Sequence, residues 1–300
     1  MRILVTGAAG TLGRALLPRL RRDGHDAVGL DVRHADAGTI AADVRDAGAV
    51  RAAMEGVDVV VHAAAWHGIH LANHSERDFF DLNVAGTFNV WDAAVDAHVK
   101  GVVFSSTMGV YGEMRRPPGD DRIAVLDEDM PLQPGDVYGW SKVVGEELCR
   151  YHLRKDGIPS VALRYGMFVP EPFIRYGIRL LYGGVDERDV AEAVVASVTA
   201  VADGRVEHEA FNVESVVPFG AGDDADLRRD PIVAIERHMP GAADLLRSRG
   251  IDRLKPVTEI FPMARIEERL GFRPRRNFVE WLEELRARPE ERATASPPWP

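Results

Sequence analysis

Tyr138 and Lys142 are the residues of this chain whose types and spacing point most directly to chemistry. They stand four residues apart near the start of a predicted helix, so the two side chains share one face of it. A tyrosine with its ordinary pKa of about 10 is a poor base at neutral pH. A neighbouring ammonium favours the phenolate, and a phenolate could take the proton from a substrate hydroxyl.

The tyrosine–lysine spacing occurs twice, and only the surroundings distinguish the two pairs. Tyr151 and Lys155 repeat it further along the same helix, where we interpret them as solvated surface remote from the strand ends that bind ligands. Tyr138 instead follows a strand whose hydroxyl residues 105–107 fall at its carboxyl end. One of these hydroxyls could bond the reacting oxygen there and hold Tyr138 in place, although strands also end in such residues without any function.

A glycine-rich turn follows the first predicted strand and precedes a helix. Gly7 would permit the tight turn, Gly10 would let the backbone approach a ligand, and Gly13 would let the helix pack closely on the sheet. Backbone N–H groups and the positive end of the helix dipole would bind a diphosphate here. A strand-to-helix turn without a ligand could contain the same residues, but the position between the first strand and the first helix favours a dinucleotide.

An acid at the end of the second predicted strand indicates which dinucleotide binds. The carboxylate of Asp31 would accept hydrogen bonds from the ribose hydroxyls and repel a 2′-phosphate. We therefore predict NAD rather than NADP, although Arg33 could accept that phosphate. Asp43 could accept from the adenine amino group while Val44 packs on the ring; an aspartate that caps a helix is the alternative.

Short apolar runs alternate with helical patterns over the first two-thirds of the chain. Strands separated by helices imply right-handed crossovers and a parallel sheet, and continuous apolar runs are typical of strands covered on both faces. The predicted strands are residues 2–7, 26–31, 57–64, 100–106, 160–166 and 209–214. The predicted helices lie around residues 11–23, 46–55, 76–98, 138–156 and 187–202. The pattern predicts an α/β fold, a doubly wound parallel sheet of Rossmann type with a small C-terminal substrate-binding lobe.

The alternation stops after residue 214, and this change divides the chain. Helices and loops follow it, and they lead to a last amphipathic segment. The predicted divisions are residues 1–169 for the NAD-binding domain, 170–185 for a short substrate-region segment, 186–214 for the last helix and strand of the sheet, 215–288 for the substrate lobe and 289–300 for a disordered tail.

Composition limits the class of protein and its partners. The chain has 300 residues, a formal net charge of −10 and 46% hydrophobic residues, which is typical of a soluble globular protein. The acidic balance disfavours binding to nucleic acid. The one cysteine, Cys149, cannot form an internal disulfide or by itself a metal site. We find neither a signal peptide nor an apolar stretch of about 18 residues, so we predict a cytoplasmic location and no membrane partner.

Taken together, these motifs resemble the extended short-chain dehydrogenase/reductase family, also called the NAD-dependent epimerase/dehydratase family. The resemblance covers nearly the whole chain, and the motifs follow the order of the family. The matching pieces are TGAAGTLG (6–13), Asp31, ADV (42–44), HAAA (62–65), Asn83 in LNVAGT, SSTMGVYG (105–112), YGWSK (138–142), LRYG (163–166), DERDVAEAV (186–194) and LGFRP (270–274).

The resemblance implies a role for each matching residue. Tyr138 would be the acid/base and Thr107 its hydroxyl partner. Lys142 would favour the phenolate of Tyr138 and contact a ribose. Asn83 would contact the cofactor, or it is simply an asparagine that bonds helix backbone. The implied cofactor contacts are Gly7, Gly10, Thr11, Leu12, Gly13, Asp31, Asp43, Val44, Ala63, Ala64, Ala65, Asn83, Tyr138 and Lys142.

Three departures from the family pattern bear on the substrate. Met108 and Gly109 follow Thr107, where the sugar 4,6-dehydratases of the family carry an acidic pair, so dehydration is disfavoured. Met167 replaces an asparagine that is usual in sugar-nucleotide epimerases. The stretch 170–189 is short, which predicts a smaller substrate and resembles uronate dehydrogenases.

Arginines and histidines supply the remaining substrate candidates. An arginine of the short stretch could bind a substrate carboxylate in bidentate fashion, or it is a surface residue of a short helix. His67, His70 and His74 border the predicted mouth of the site as substrate contacts or loop residues, and Trp66 could shape the pocket. Their spacing is not a recognised ligand pattern and the reaction needs no metal, so we predict none. The predicted substrate contacts are His67, Thr107, Met108, Arg175 and Arg179.

The sequence therefore predicts an NAD-dependent dehydrogenase that oxidises a secondary alcohol of a sugar, a sugar acid or a related polyol. An epimerase of sugars or nucleotide sugars shares the first half-reaction and is the main alternative. A non-catalytic NAD-binding protein is a third possibility, which the intact Thr107, Tyr138 and Lys142 disfavour. The family resemblance also implies a homodimer in which the helices at 76–98 and 138–156 pack across the interface.

Overall fold

A parallel sheet of seven strands forms the centre of the computed structural model, which describes residues 1–112 and 122–293. The strands of the chain are β1 (Arg2–Thr6), β2 (Asp26–Asp31), β3 (Thr39–Ala41), β4 (Val59–His62), β5 (Gly101–Thr107), β6 (Ala124–Val125), β7 (Ser160–Tyr165), β8 (His208–Val213) and β9 (Glu259–Ile260). The order in the main sheet is β3-β2-β1-β4-β5-β7-β8, while β6 and β9 pair separately. Because the order reverses between β1 and β4, the carboxyl ends of these strands open a crevice of the kind that binds ligands.

Helices connect the strands and form most of the C-terminal part. They are α1 (Thr11–Arg22), α2 (Ala47–Ala53), α3 (Glu76–Phe79), α4 (Gly86–Asp96), α5 (Val137–Asp156), α6 (Phe173–Arg179), α7 (Glu187–Ala202), α8 (Asp224–Arg229), α9 (Pro231–His238), α10 (Ala242–Ser248), α11 (Ala264–Leu270) and α12 (Phe278–Ala287). A π-helical turn, Phe80–Ala85, joins α3 to α4 within the predicted helix at 76–98. None of the described helices combines the length and the apolar character that a bilayer crossing needs.

Two apolar layers cover the sheet, one on each face. Successive side chains of a strand point to opposite faces, so Ile3 of β1 packs in the cluster that contains Leu16 of α1. Its neighbour Leu4 packs in the other cluster, which contains Trp91 of α4 and the thiol of Cys149 in α5. The prediction of a doubly wound α/β sheet is therefore confirmed.

A third apolar core joins α6 to the C-terminal helices α8, α9, α10 and α12. Trp281 of α12 packs directly on Gly177 of α6, where a Cβ atom would lie 1.8 Å from the indole ring. The indole Nε1 donates to the carbonyl of Phe173 over 3.1 Å. The predicted tail at 289–300 falls mainly on residues 294–300, which lie outside the described residues.

Candidate active site

The glycine turn after β1 leaves the start of α1 open to a ligand. Gly7 has a φ of +73°, and a Cβ there would lie 2.8 Å from the backbone of Ala63 and Ala64. Helices α2, α5 and α7 each begin at an aspartate that accepts a backbone N–H, whereas α1 begins at Gly10 with no capping side chain. Its first N–H groups thus have no side-chain acceptor, and a diphosphate would provide one. The turn therefore fits the pyrophosphate of a dinucleotide.

Asp31 lies at the carboxyl end of β2 and is joined to the glycine turn. One carboxylate oxygen accepts from the N–H of Ala9 at 2.9 Å, and the other accepts from the N–H of Arg33 at 2.8 Å. The side chain is buried, whereas the guanidinium of Arg33 is two-thirds exposed and its Nε lies 3.6 Å from the carboxylate. This geometry holds a negative charge beside the crevice, as the binding of ribose hydroxyls requires.

Asp43 and Val44 fit their predicted adenine contacts less well. Both oxygens of Asp43 accept from the guanidinium of Arg45, and this pairing lowers the pKa of the carboxyl. The Val44 side chain is buried against α4, where it fills the space beside Gly86. An adenine contact by either residue stays a prediction.

A buried chain of hydrogen bonds connects the crevice to the catalytic helix. The hydroxyl of Thr6 accepts from the N–H groups of Ala63 and Ala64 at 3.2 Å each, and it lies 2.7 Å from His62 Nδ1. On the other side, His62 Nε2 lies 2.9 Å from the hydroxyl of Thr87. Because the Thr87 hydroxyl donates to a backbone carbonyl, it must accept from His62 Nε2, which therefore carries the proton.

Burial keeps His62 uncharged. Burial first, and repulsion from the Lys142 ammonium second, lower the pKa of the His62 ring to about 3. The neutral ring therefore accepts from Thr6 and donates to Thr87 at neutral pH. Sequence reasoning did not assign this residue a role, although a histidine at the end of an apolar strand was the available signal.

Asn83 extends this series of hydrogen bonds to the start of α5. The Thr87 hydroxyl donates to the carbonyl of Asn83 over 2.5 Å. The Asn83 amide nitrogen donates to the carbonyl of Trp66 and to the hydroxyl of Ser141, both at 2.9 Å. Ser141 in turn donates to the carbonyl of Tyr138 at 2.7 Å. All hydrogens of the Asn83 amide are used within the protein, so this side chain positions the site; the predicted cofactor contact is untested.

The catalytic candidates meet where β5 ends and α5 begins. The hydroxyl of Thr107 is close enough to the phenol of Tyr138 to lower the pKa of that phenol. Gly139 makes this approach possible, because a Cβ there would lie 2.6 Å from the carbonyl oxygen of Gly109. The Lys142 ammonium is buried 6.0 Å from the Tyr138 ring centroid and 5.1 Å from that of Phe104. The structure thus brings together the three residues predicted for catalysis.

Burial opposes the charged form of both members of the pair. It raises the pKa of Tyr138 to about 12, with a contribution from the nearby Asp136, whereas the Thr107 hydrogen bond lowers it. Burial lowers the pKa of Lys142 to about 7. The chain alone therefore holds Tyr138 as a neutral phenol. Additional positive charge at the crevice is needed for the phenolate.

A second buried network fixes α5 against the sheet. Glu146, two turns beyond Tyr138, accepts from the Ser106 hydroxyl at 2.6 Å and from both Nε and Nη2 of Arg164, at 3.0 and 2.8 Å. Arg164 also donates to the hydroxyl of Tyr111. Buried charges persist when they are paired in this way. The network ties β5 and β7 to α5, and sequence reasoning missed it because the partners are distant in the chain.

A cleft of about 530 Å³ lies beside the catalytic residues. The residues that line it are Met108, Gly109, Tyr111, Gly112, Leu126, Gln133, Gly135, Asp136, Glu259 and Phe261. Met108 therefore lies where the sequence places a substrate contact, while the wall formed by Glu259 and Phe261 belongs to the C-terminal part and was not predicted.

The histidine-rich stretch forms an aromatic stack near Tyr138. The Trp66 and His74 rings stack with centroids 4.0 Å apart, and the His67 ring lies 6.3 Å from that of Tyr138, edge to face. His70 Nδ1 accepts from the N–H of His67 at 2.9 Å. Over residues 1–112 and 122–293, no group of three metal-ligating side chains comes together.

Arg175 and Arg179 are engaged by Glu171 rather than directed at the cleft. One oxygen of Glu171 accepts from Arg175 Nε at 2.9 Å, and the other accepts from Arg179 Nε at 2.5 Å. Arg179 also donates to the carbonyls of Met167 and Val169 and is buried. The donors of Arg179 therefore hold the loop after β7, and its role in binding substrate stays a prediction.

The crevice and the tyrosine at its edge define a dinucleotide-binding enzyme of the short-chain dehydrogenase/reductase type. The chain belongs to the NAD dependent epimerase/dehydratase family, whose model matches residues 3–171. It is 31% identical over 290 residues to the L-arabinose 1-dehydrogenase (NAD(P)(+)) of Haloferax volcanii, covering 94% of this chain and 99% of that protein. It is 32% identical over 182 residues to the uronate dehydrogenase of Pseudomonas putida, covering 57% of this chain and 62% of that one.

A solved structure shares the fold. A short-chain dehydrogenase/reductase superfamily protein from Agrobacterium tumefaciens with bound NAD superposes with a TM-score of 0.72 at 23% identity, covering 96% of each chain. The predicted family, the fold and the NAD dependence are confirmed.

Proposed function

We propose that the enzyme is a dehydrogenase that oxidises a hydroxyl-bearing carbon of a sugar or a similar polyol with NAD. The observation that carries this proposal is the meeting of Thr107, Tyr138 and Lys142 where β5 ends and α5 begins, with the Lys142 ammonium buried 6.0 Å from the Tyr138 ring centroid. The relative that matches along almost its whole length is named a sugar dehydrogenase, which supports a sugar as the substrate.

The residues of this chain perform the proton half of the reaction. Bound NAD in its oxidised form supplies the hydride acceptor and a positively charged ring. Thr107 and Tyr138 together hold the substrate hydroxyl, and Tyr138 takes its proton as the carbon loses a hydride and the carbonyl forms. The Lys142 ammonium stabilises the charge that develops on the phenol oxygen. The Asn83–Ser141 contact holds the first turn of α5, and so the phenol, in register with the crevice.

We place the substrate between the sheet and the C-terminal lobe. Met108 and His67 would form its inner side, and Glu259 and Phe261 of the proposed lobe at 215–288 would form the outer wall of the cleft. The loop after β7 is short and is held by Arg179. This arrangement favours a substrate of the size of a simple sugar.

The epimerase alternative is separated from the dehydrogenase by its products. An epimerase returns the hydride to the substrate, so NADH does not accumulate. We expect NADH to accumulate, as absorbance at 340 nm, when purified enzyme, NAD and an aldose are mixed. Isomerised sugar without net NADH would instead establish the epimerase, and unchanged sugar with every aldose would favour a non-catalytic NAD-binding protein.

We propose further that two copies associate through α5 and the helix before it. Large apolar side chains are exposed on these segments. Phe80 lies in the π-helical turn and Phe88 in α4, and Trp140 and Tyr151 lie in α5. Adjacent apolar surface of this kind is typical of an interface between protein chains. Sedimentation velocity should give the mass of two chains for the native enzyme and of one chain for a Phe88→Glu, Tyr151→Glu variant; a native monomer contradicts the proposal.

A further inference from the structure

A second cavity, of about 810 Å³, lies between α1, α7 and the loop 271–277 that precedes α12. It shares no described lining residue with the cleft beside the catalytic residues. Its volume is within the range of sites that hold small molecules. Its described lining residues include six arginines and three acids, which is an excess of positive charge in a chain whose formal net charge is −10.

Three of these arginines are paired with acids and hold the walls of the cavity together. The pairs are Arg19–Glu192, Arg188–Asp186 and Arg276–Asp189. Arg19 joins α1 to α7, because its Nε and Nη2 donate to the two oxygens of Glu192 at 2.8 and 3.1 Å. The buried carboxylate of Asp189 fixes the loop to α7, since it accepts from Arg276 Nη1 at 2.8 Å and from the N–H groups of residues 275 and 276 at 3.0 and 2.7 Å. The walls are thus fixed without the other three arginines.

The other three arginines have donors available for a ligand. Arg22 of α1 and Arg275 of the loop are exposed, and in the described part of the chain neither side chain has an ion-pair or hydrogen-bond partner. Arg273 is 68% exposed, and its guanidinium lies 3.7 Å from Glu267, which is too far for a hydrogen bond. Glu187 is the one lining acid outside the three ion pairs. Three guanidinium groups therefore line the cavity against one carboxylate.

We infer that this cavity, called the arginine cavity below, binds a small molecule through a phosphoryl group. Guanidinium groups bind phosphoryl oxygens in pairs through their planar set of donors. The arginines come from two elements, so they can approach different oxygens of a tetrahedral group, whereas a carboxylate presents two oxygens in one plane. The site is separate from the catalytic residues, and the inference therefore does not depend on the proposed dehydrogenase activity.

Calorimetric titration of the NAD-saturated enzyme with inorganic pyrophosphate tests this inference. Saturation with NAD fills the glycine turn after β1, which would otherwise compete for the diphosphate. We expect one pyrophosphate to bind per chain in magnesium-free buffer, more weakly as salt is added, and more tightly than citrate, a carboxylate anion of similar charge. ADP, titrated in the same way, distinguishes an ester from the free anion: tighter binding than pyrophosphate identifies an ester as the natural ligand.

A charge-matched pair of double variants locates the site. Arg22→Gln combined with Arg275→Gln should weaken pyrophosphate binding by about ten- to a hundred-fold, because charge-assisted hydrogen bonds are lost. Arg229→Gln combined with Arg253→Gln removes the same charge at exposed arginines outside the cavity. The affinity of this control should stay within about twofold of the native value. Both double variants should oxidise sugar at the native rate.

Glu187→Gln provides a test that poor folding cannot imitate. The substitution removes the unpaired carboxylate of the cavity, so pyrophosphate should bind several-fold more tightly. Glu76→Gln is the matched control, since Glu76 and Glu187 both lie in the first turn of a helix. Its affinity for pyrophosphate should not change.

The outcomes that overturn the inference are distinct from those that concern the dehydrogenase. An NAD-saturated enzyme that does not bind pyrophosphate at millimolar concentration, or that loses affinity equally in both double variants, has no phosphoryl site in the arginine cavity. Tighter binding of citrate than of pyrophosphate overturns the assignment to a phosphoryl group. None of these results alters the test of NADH formation from sugars.

Discussion

Tyr138 and Lys142 resemble each other in that burial disfavours the charged state of both. The pKa of the phenol is about 12 and that of the ammonium about 7, so each residue is displaced toward neutrality before the cofactor binds. Proximity alone does not ionise the tyrosine, since the ammonium lies 6.0 Å from its ring centroid. This arrangement couples the acid/base function to occupancy of the crevice, because added positive charge favours the phenolate.

Lys142→Met should stabilise the NAD-free enzyme and reduce its activity. The buried lysine binds a proton less readily when folded than when unfolded, where its pKa is near 10.5, so its destabilising effect is greatest below pH 7 and disappears as the pH rises toward 10. We expect a higher Tm for the variant at pH 7, by about 2–4 °C for each kcal/mol relieved. The difference from the native enzyme should shrink between pH 7 and pH 10. A native enzyme that is the more stable at pH 7 contradicts this account.

Asp31→Ser should relax the choice of cofactor. The substitution removes the negative charge beside the predicted ribose position and releases Arg33, which the carboxylate now faces at 3.6 Å. We expect the ratio of kcat/KM for NADP to that for NAD to rise by one to two orders of magnitude, or ~1.4 to ~2.8 kcal/mol. Asp43→Ser, a change at an acid already paired with Arg45, is the control. An unchanged ratio for Asp31→Ser would show that this carboxylate does not discriminate between the ribose of NAD and the phosphorylated ribose of NADP.

At the scale of elements, β4, the π-helical turn and α5 are held in register by uncharged polar groups. The chain of hydrogen bonds runs from Thr6 through His62 and Thr87 to Asn83 and Ser141, and every link is buried. Each donor in it faces one acceptor, so its direction is fixed. A break at the central ring should therefore affect both ends, the groove wall and the turn that carries the phenol.

His62→Phe should weaken NAD binding and lower kcat in a folded enzyme. The ring is retained, but the hydroxyls of Thr6 and Thr87 lose their partner, at a cost of about 1–3 kcal/mol for each unsatisfied group. We expect a higher dissociation constant for NAD by tryptophan fluorescence, with partial recovery in His62→Gln, which keeps a donor toward Thr87. His208→Phe is the matched control, because that half-buried histidine bonds Ser160 at the opposite end of the sheet. Equal losses of NAD affinity and of kcat in His62→Phe and His208→Phe would show that His62 has only a structural role.

The elements differ in how far the sequence predicts them. The strand at 26–31 could be predicted to the residue, because an apolar run bounded by charged and turn residues leaves little choice. The π-helical turn at 80–85 could not, since it depends on Asn83 reaching Trp66 and Ser141 across the fold. The ion pairs of Glu171 could have been predicted from the sequence, because Glu171, Arg175 and Arg179 follow each other at the four-residue spacing of helical ion pairs.

For the whole molecule, the crevice and the cleft come from different parts of the chain. The order reversal between β1 and β4 creates the first, and its residues could be predicted from motifs because a dinucleotide makes the same demands in every such sheet. The cleft forms only where Glu259 and Phe261 lie near Met108, which is more than 100 residues away in the sequence. Long-range placement of this kind leaves no local pattern, so the sequence could not indicate which residues form this wall of the cleft.

The most direct test of the account is the rate of a single turnover in Tyr138→Phe. Native enzyme and variant, each saturated with NAD, are mixed with a neutral aldose that the native enzyme oxidises, and NADH formation is followed by stopped flow at 340 nm. We expect the variant to bind NAD within about twofold of the native affinity and to form NADH roughly 10²- to 10⁴-fold more slowly, the range typical of a lost acid/base group. A variant that binds NAD and forms NADH at the native rate contradicts the central claim that this phenol takes the proton.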